Sequence, residues 1–207
     1  MSDLSRVAAF DVDGTLTRRD CVVPFLREVA GTVTLSTRLL RDPARLARAS
    51  IDRDRDAFKT AAAAAAFSGV PYDELRSTAQ AFAERVNRSG LRPDVIESLE
   101  QHRREGDRTV LVSASFEIYL DPLAEMLGVD AVLGTRLEVD EFGVLTGRLD
   151  GANCRGPEKV RRLHGWLTDE FGGRSEVTVT AYGDSAGDRE MLADADLAHW
   201  VGPSKAV

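Results

Sequence analysis

The residue types best suited to chemistry stand near the start of the chain, where Asp11 and Asp13 follow an apolar stretch at residues 7–10. That stretch predicts a short buried strand, and Gly14 predicts the turn that closes it. Side chains at positions i and i+2 of an extended chain point the same way, so the two carboxylates are expected to repel each other. A divalent metal ion or a cationic side chain is therefore expected beside them.

Polar groups also follow two later apolar stretches, residues 109–112 and 177–182, which predict further buried strands. Ser113 and Ala114 come directly after the first stretch, and the sequence Gly-Asp-Ser-Ala-Gly-Asp occupies residues 183–188 after the second. Lys159 stands near the start of a helix predicted at residues 157–171. Ligands bind outside the carboxyl ends of parallel strands, so these groups are expected to meet at one edge of the sheet.

This set of side chains suits phosphoryl transfer. Carboxylate oxygens are typical ligands of Mg²⁺, which also binds water and substrate phosphate. The transferring group needs positive charge on its oxygens, which Lys159 and a metal ion can supply. An aspartate can act as the nucleophile and form an aspartyl-phosphate.

The elements that must position these groups fall into two parts. Residues 18–92 predict only helices: one from about Asp20 to Gly31, one at 35–40, one starting at Pro43, and two more at 57–67 and 72–86. From residue 93 onward helices and strands alternate, which predicts an α/β fold with a parallel sheet covered on both faces. The later elements are expected to include a short strand at 131–133, a hairpin of 135–139 and 144–149, a short helix at 188–193 and a last strand at 197–201.

Composition narrows the choice of partner and location. The formal charge of −7 argues against nucleic acid as the main partner, because phosphate backbones attract basic surfaces. No apolar stretch is long enough to span a bilayer, and no apolar signal region precedes the first strand. Cys21 and Cys154 lack metal-type spacing and are expected to be free thiols in a reducing cytoplasm.

The motifs resemble those of the haloacid dehalogenase superfamily. Asp-Val-Asp-Gly-Thr at residues 11–15, Ser113, Lys159 and residues 183–188 match its four motifs in order, and the resemblance covers essentially the whole chain. A helical insert directly after the first motif resembles the type-1 cap of subclass IB, and residues 151–159 are typical of its phosphoserine-phosphatase-like hydrolases. The resemblance implies a Rossmann-like core at 1–17 and 93–207, with a helical cap domain at 18–92.

The resemblance also implies a role for each matching residue. Asp11 would be the nucleophile, and Asp13 would protonate the leaving alcohol and then deprotonate the attacking water. Lys159 would neutralise the nucleophile and the phosphate, while Ser113 and Ala114 would bind the phosphate. The ligands of Mg²⁺ would be Asp11, the main-chain carbonyl of Asp13, and Asp184. Asp188 would orient Lys159 or a water ligand of the metal.

Asp20 has two interpretations that the sequence leaves open. It can simply cap the helix that follows. In phosphoserine phosphatases, an acidic residue near this position meets the ammonium of the substrate, and an arginine later in the cap meets its carboxylate. Here residues 61–66 are alanines where that arginine would stand, with only Lys59 nearby, which argues against phosphoserine.

The expected function is a Mg²⁺-dependent phosphomonoester hydrolase that acts on a small phosphorylated metabolite through an aspartyl-phosphate. Two alternatives stay open: a phosphotransferase or phosphomutase that uses the same aspartyl-phosphate, and a non-catalytic module that binds phosphate. Four arginines at helical spacing could form an anion-binding stripe, although a solvated face is favoured. They are Arg38, Arg41, Arg45 and Arg48. His102, His164 and His199 have no metal-type spacing and are expected to be surface or packing residues.

Overall fold

A six-stranded sheet forms the centre of the computed structural model, which describes residues 4–31 and 55–202. In chain order the strands are β1 (Ser5–Phe10), β2 (Arg108–Phe116), β3 (Ala131–Val139), β4 (Leu145–Asp150), β5 (Val177–Gly183) and β6 (Leu197–Trp200). Their order across the sheet is β4-β3-β2-β1-β5-β6, and each neighbouring pair is parallel except β3 with β4. The predicted α/β fold class is confirmed.

Seven helices accompany the sheet in the described residues. They are α1 (Val22–Ala30), α2 (Arg55–Phe67), α3 (Tyr72–Ser89), α4 (Pro93–Arg104), α5 (Glu117–Leu127), α6 (Pro157–Phe171) and α7 (Arg189–Asp194). Between β1 and β2 the described residues form helices and no strand, as the sequence predicts. None of the described helices is both long enough and apolar enough to cross a lipid bilayer. The helices expected at 35–40 and from Pro43, and the four arginines of the possible stripe, lie outside the described residues.

The central strand β1 is buried on both faces. Val7 and Ala9 belong to an apolar cluster with Leu163 of α6, whereas Ala8 and Phe10 belong to a second cluster on the opposite face. This arrangement explains why β1 reads as a continuous apolar stretch rather than as an alternating one. Strand β1 is thus packed from both sides, and this packing fixes the position of Asp11, which follows it directly.

The apolar cluster on the Phe10 face extends into the inserted helices. Phe25 of α1 lies at its centre, with ring centroids 5.9 Å from Phe67 of α2 and 5.2 Å from Phe82 of α3. Tyr119 of α5 is 4.8 Å from the same ring. Aromatic pairs at these separations add to the stability gained from burying their area. The inserted helices and the sheet therefore share one core.

Two connections join the inserted helices to the sheet, and they run side by side. The main-chain N–H of Arg18 donates to the carbonyl of Gly90 at 2.8 Å, and that of Arg92 donates to the carbonyl of Leu16 at 2.9 Å. An isolated antiparallel bridge pairs Thr17 with Leu91 between these bonds. This pairing brings the start and the end of the insertion together, close to the end of β1.

Several elements differ in extent from the prediction. The expected strand at 131–133 and the first hairpin strand at 135–139 are one strand, because β3 pairs first with β2 and then with β4. Gly134 allows this continuity, since a Cβ there would lie 3.0 Å from the carbonyl oxygen of Ser115. Strand β2 continues to Phe116, α3 continues to Ser89, and Asp188 belongs to a 3-10 turn before α7. Tertiary pairing thus extends elements beyond their local sequence signals.

The alanines of α2 pack closely against the hairpin. Ala62, Ala63 and Ala66 of this helix are buried. Gly147 of β4 has φ +79°, and a Cβ there would lie 3.0 Å from the Cα of Ala64. Gly143 has a similar φ of +77° but no atom within 4 Å of its position for a Cβ.

We expect Gly147→Ala to lower the free energy of unfolding by about 3 kcal/mol, because alanine at positive φ costs about 1 kcal/mol and overpacking adds about 1–3 kcal/mol. Gly143→Ala should lose only the backbone contribution, about 1 kcal/mol. Urea titrations followed by circular dichroism measure both values. Equal losses in the two variants would contradict the close packing of α2 on β4.

Candidate active site

The carboxyl ends of the central strands meet at one edge of the sheet. Asp11 follows β1, and its main-chain N–H donates to the carbonyl of Tyr182 in β5 at 2.9 Å. Asp184 follows β5, and Ser113 lies in the last part of β2. All three line a cavity of about 770 Å³. The convergence expected from the topology of parallel strands is therefore present.

Lys159 lies between two of the carboxylates. Its Nζ donates to Oδ1 of Asp11 at 2.5 Å and to Oδ1 of Asp188 at 2.6 Å, and the lysine is 1% exposed. Burial alone would lower the pKa of Lys159, but the two carboxylates raise it above its ordinary value. Burial likewise acts to raise the pKa of Asp188, and Lys159 lowers it on balance. The ammonium and Asp188 are therefore charged, as in a buried ion pair.

The carboxylates at this edge exceed the positive charge available in the described residues around them. Burial raises the pKa of Asp11 to about 7 although Lys159 acts in the opposite direction, and the charges of Asp188 and Asp13 add to the rise. Burial and the charge of Asp188 also raise the pKa of Asp184. Such unbalanced negative charge favours a bound cation.

The donor atoms fit a magnesium ion. Carboxylate oxygens of Asp11, Asp184 and Asp188 lie within 4.8 Å of one another. The Gly14 turn lies against this group, because a Cβ at Gly14 would be 2.4 Å from Oδ2 of Asp184. Thr15 donates its hydroxyl to the other oxygen of Asp184 at 3.2 Å. Carboxylate oxygens grouped in this way are the ligands that Mg²⁺ prefers, with water and substrate phosphate as its further ligands.

The side chain of Asp13 points to a different set of partners. Its Oδ1 accepts the main-chain N–H of Cys21 at 2.8 Å, and its Oδ2 accepts the hydroxyl of Ser115 at 2.5 Å. Tyr119 in turn donates its phenol to Oγ of Ser115 at 2.6 Å. Burial raises the pKa of Asp13, with the nearby charge of Asp20 in the same direction. Asp13 thus lines the cavity with its carboxyl group held by protein donors on both oxygens.

Sequence reasoning did not assign a site role to Ser115. The signal was available, because Ser113 and Ser115 repeat the i, i+2 spacing of Asp11 and Asp13 and must share a side of an extended strand. Ser113 Oγ accepts the main-chain N–H of Ser115 at 3.1 Å, and both Ser113 and Ala114 line the cavity.

The wall of the cavity formed by the inserted helices is largely apolar. Side chains of α1 and α2 supply it: Val22, Val23, Leu26, Phe58 and Ala62. Asp20 lies on the same wall, exposed, and its Oδ1 accepts the main-chain N–H of Val23 at 3.1 Å. Asp20 therefore caps α1 and faces the cavity at the same time, so both of its predicted roles remain compatible with its position.

Lys59 is a second site residue that sequence reasoning left without a role. Its Nζ donates to Thr135 at 3.0 Å and to Asn153 at 2.8 Å, and it lies 4.5 Å from the centroid of the Phe116 ring. Burial lowers the pKa of Lys59 to about 7. The signal was its spacing with the buried alanines of α2, which places a lysine on an apolar helix face.

The remaining expectations concern histidines and cysteines. His102 bonds Asp107 and Tyr182, His164 bonds Asp194, and His199 stacks on Tyr182, which confirms packing and surface roles. Cys21 and Cys154 are free thiols, as predicted, and both are buried.

The amino-acid sequence is similar to a family of hydrolases and to individual proteins within it. A family model described as haloacid dehalogenase-like hydrolase matches residues 8–193. Protein CicA of Caulobacter vibrioides is 40% identical over 190 residues, which cover 92% of this chain and 83% of that protein. A phosphoserine phosphatase of Archaeoglobus fulgidus is 29% identical over 195 residues, which cover 93% of this chain and 51% of that protein.

Solved structures show the same fold. A protein of unknown function from Bordetella pertussis Tohama I aligns with a TM-score of 0.73 and 25% identity, over 92% of this chain and 87% of that one. A phosphoserine phosphatase, solved as an analogue of its phospho-aspartyl intermediate, aligns with a TM-score of 0.64 and 20% identity, over 95% and 86%. At 20% identity, the similarity to this phosphoserine phosphatase shows that the two proteins share a fold and no more.

The two buried lysines predict different costs of removal. Lys159→Met leaves Asp11 and Asp188 buried without their cation, so we expect a loss of about 3–5 kcal/mol in the free energy of unfolding at neutral pH. Lys59→Met removes bonds to neutral oxygens together with a desolvated ammonium, so the expected loss is below about 2 kcal/mol. Urea titration in the presence of a chelator measures both. Similar losses would contradict the ion-pair account of Lys159.

Proposed function

The chain belongs to the haloacid dehalogenase-like hydrolase family, and we propose that it is a magnesium-dependent phosphomonoester hydrolase that acts on small phosphorylated metabolites. The identification made from its four motifs is confirmed, and its relatives include phosphatases. The observation that carries the proposal is the buried contact of Lys159 with Asp11, in a cavity that Asp13 also lines with a carboxyl group held by two donors.

In the proposed reaction Asp11 is the nucleophile. An oxygen of its carboxylate forms a bond to phosphorus while the bond from phosphorus to the substrate oxygen breaks, which leaves an aspartyl-phosphate. Asp13 gives its proton to the departing oxygen and releases the alcohol. Asp13 then takes a proton from a water molecule as that water attacks phosphorus, so phosphate leaves and Asp11 is regenerated. The bond from phosphorus to the Asp11 oxygen breaks in this second step, and water is the only reactant needed besides the phosphomonoester.

Three groups are proposed to hold Mg²⁺: the carboxylates of Asp11 and Asp184, and the main-chain carbonyl of Asp13. When bound, the ion supplies positive charge to the phosphate oxygens and screens the phosphate from the carboxylates. Asp188 is proposed to keep Lys159 beside Asp11, which its 2.6 Å bond to Nζ supports. Lys159 then neutralises charge on the nucleophile and the transferring group.

The substrate is proposed to lie with its phosphate at the sheet edge and its alcohol toward the inserted helices. Ser113 and Ala114 are proposed to contact the phosphate, because both line the cavity beside Asp11. Asp20 is proposed to contact the alcohol part, on the opposite wall. The apolar side chains of α1 and α2 between them favour an alcohol with some apolar surface.

The pairing of the two ends of the insertion supports a division of the chain into two domains. We propose a catalytic core of residues 1–17 and 93–207 and a helical cap of residues 18–92, joined where Thr17 pairs with Leu91. Closure of such a cap would exclude water during phosphoryl transfer.

We also propose that the protein works in the cytoplasm, where the free thiols of Cys21 and Cys154 stay reduced.

Phosphate release from a panel of phosphomonoesters, measured with Mg²⁺ and with a chelator, tests the reaction. We expect metal-dependent release by the wild type and a loss of more than about a thousandfold in Asp11→Asn, since the nucleophile is gone. Asp169→Asn is the matched control, because Asp169 is an exposed aspartate on α6. Wild-type turnover by Asp11→Asn would exclude the mechanism. Diversion of product to an added alcohol would instead indicate a phosphotransferase, and absence of any release a binding module.

Magnesium should also stabilise the fold. At a concentration about a hundred times its dissociation constant, a ligand that binds only the native state adds about 2.7 kcal/mol to the free energy of unfolding. We expect this gain in the wild type and in Asp169→Asn, and a much smaller one in Asp184→Asn. Urea titrations at several Mg²⁺ concentrations measure the gain without any substrate. An unchanged gain in Asp184→Asn would rule out that residue as a ligand.

A further inference from the structure

The hydroxyl of Ser115 contacts Asp13, and Ser115 belongs to none of the four sequence motifs. We propose that Ser115 is a positioning residue that, together with Tyr119, orients the carboxyl group of Asp13 for proton transfer to the leaving oxygen. This inference rests on the proposed acid-base role of Asp13. Ser115 contacts Asp13 and would act on the substrate only through Asp13.

The carboxyl group of Asp13 is fixed from two sides. Ser115 of β2 donates to Oδ2 at 2.5 Å, and the main chain of Cys21, just before α1, donates to Oδ1 at 2.8 Å. One donor on each oxygen fixes both the position and the plane of the carboxyl group. Ser115 has no exposed surface, so water does not compete for its hydroxyl.

The direction of the hydrogen bonds follows from the number of protons. A phenol is protonated at neutral pH, and the hydroxyl of Tyr119 donates to Oγ of Ser115 at 2.6 Å. The hydroxyl of Ser115 has one proton of its own, which is donated to Asp13. No proton of Ser115 is left for a substrate phosphate, which separates its role from that proposed for Ser113.

Aromatic packing holds the start of this chain of hydrogen bonds. The ring of Tyr119 is 1% exposed, and its centroid lies 4.8 Å from that of Phe25 and 5.2 Å from that of Phe82. These partners belong to α1 and α3, and their own ring centroids lie 5.2 Å apart, so the three rings form one cluster. A ring packed in this way presents its hydroxyl at a fixed point, and Ser115 transmits that position to Asp13.

A positioning role predicts a dependence on the leaving group. Departure of p-nitrophenolate needs no proton, whereas departure of the strongly basic benzyl alkoxide does, and the two substrates have similar shapes. Because kcat/KM covers only the steps up to release of the alcohol, hydrolysis of the aspartyl-phosphate does not enter it. The ratio of kcat/KM for benzyl phosphate to that for p-nitrophenyl phosphate therefore reports the proton donated by Asp13.

We expect Ser115→Ala to lower this ratio about tenfold or more, which is part of the hundredfold or greater contribution that a general acid makes. Asp13→Asn should lower it further in the same sense. Tyr119→Phe should lower it less, because Ser115 keeps its bond to Asp13. The matched control is Tyr182→Phe, which removes a tyrosine hydroxyl bonded to His102 instead of Ser115 and should leave the ratio unchanged.

The two kcat/KM values are measured on one preparation of each variant, so any misfolded fraction cancels in the ratio. A Ser115→Ala ratio equal to that of the wild type, whether both rates fall or neither does, would overturn the inference and leave the proposed function standing. A wild type that hydrolyses neither substrate in the presence of Mg²⁺ would overturn the proposed function and this inference with it.

Discussion

Carboxylates gathered at one edge of a parallel sheet repel one another, and in this chain the buried ammonium of Lys159 offsets that repulsion. Its contacts with Asp11 and Asp188 tie the end of β1 to the turn after β5, through a residue in the first turn of α6. The amino terminus of that helix adds partial positive charge on the same side. One lysine does not balance all the carboxylates there, and burial, with the charge of Asp188 in the same direction, raises the pKa values of Asp11 and Asp184. A site with this surplus negative charge suits a magnesium ion and, through it, a phosphate.

The second carboxylate of the motif is held by a different kind of interaction. The carboxyl oxygens of Asp13 accept hydrogen bonds from the main-chain N–H of Cys21 and from the hydroxyl of Ser115. Both of these donors are uncharged. Both donors are placed by the aromatic core shared between the sheet and the inserted helices. The proposed nucleophile, held by an ion pair, and the proposed acid-base group, held by neutral donors, thus differ in environment although they are two residues apart.

The inserted helices also contribute polar contacts across the cavity. Lys59 of α2 bonds Thr135 of β3 and Asn153, and Asn153 donates to Asp56 of the same helix at 2.6 Å. Buried polar networks of this kind are costly when broken, because each member loses its partners without gaining water. The bonds of Lys59 and Asp56 hold α2 over the edge of the sheet. Apolar side chains of α1 and α2 line the cavity beside them. The cavity therefore has two walls that different parts of the chain provide, and the proposed substrate would contact both.

The amino-acid sequence by itself determined the α/β class, the helical insertion, the carboxylates Asp11 and Asp184 at the strand ends, and Lys159 at the start of a helix. It could do so because apolar stretches predict buried strands, and the ends of parallel strands must converge whatever packs around them. The tertiary structure alone decided that β3 is continuous, that Lys59 turns into the cavity, and that Ser115 and Tyr119 reach Asp13. Those features depend on strand pairing, helix rotation and side-chain direction, which follow from contacts between segments far apart in the chain rather than from local spacing.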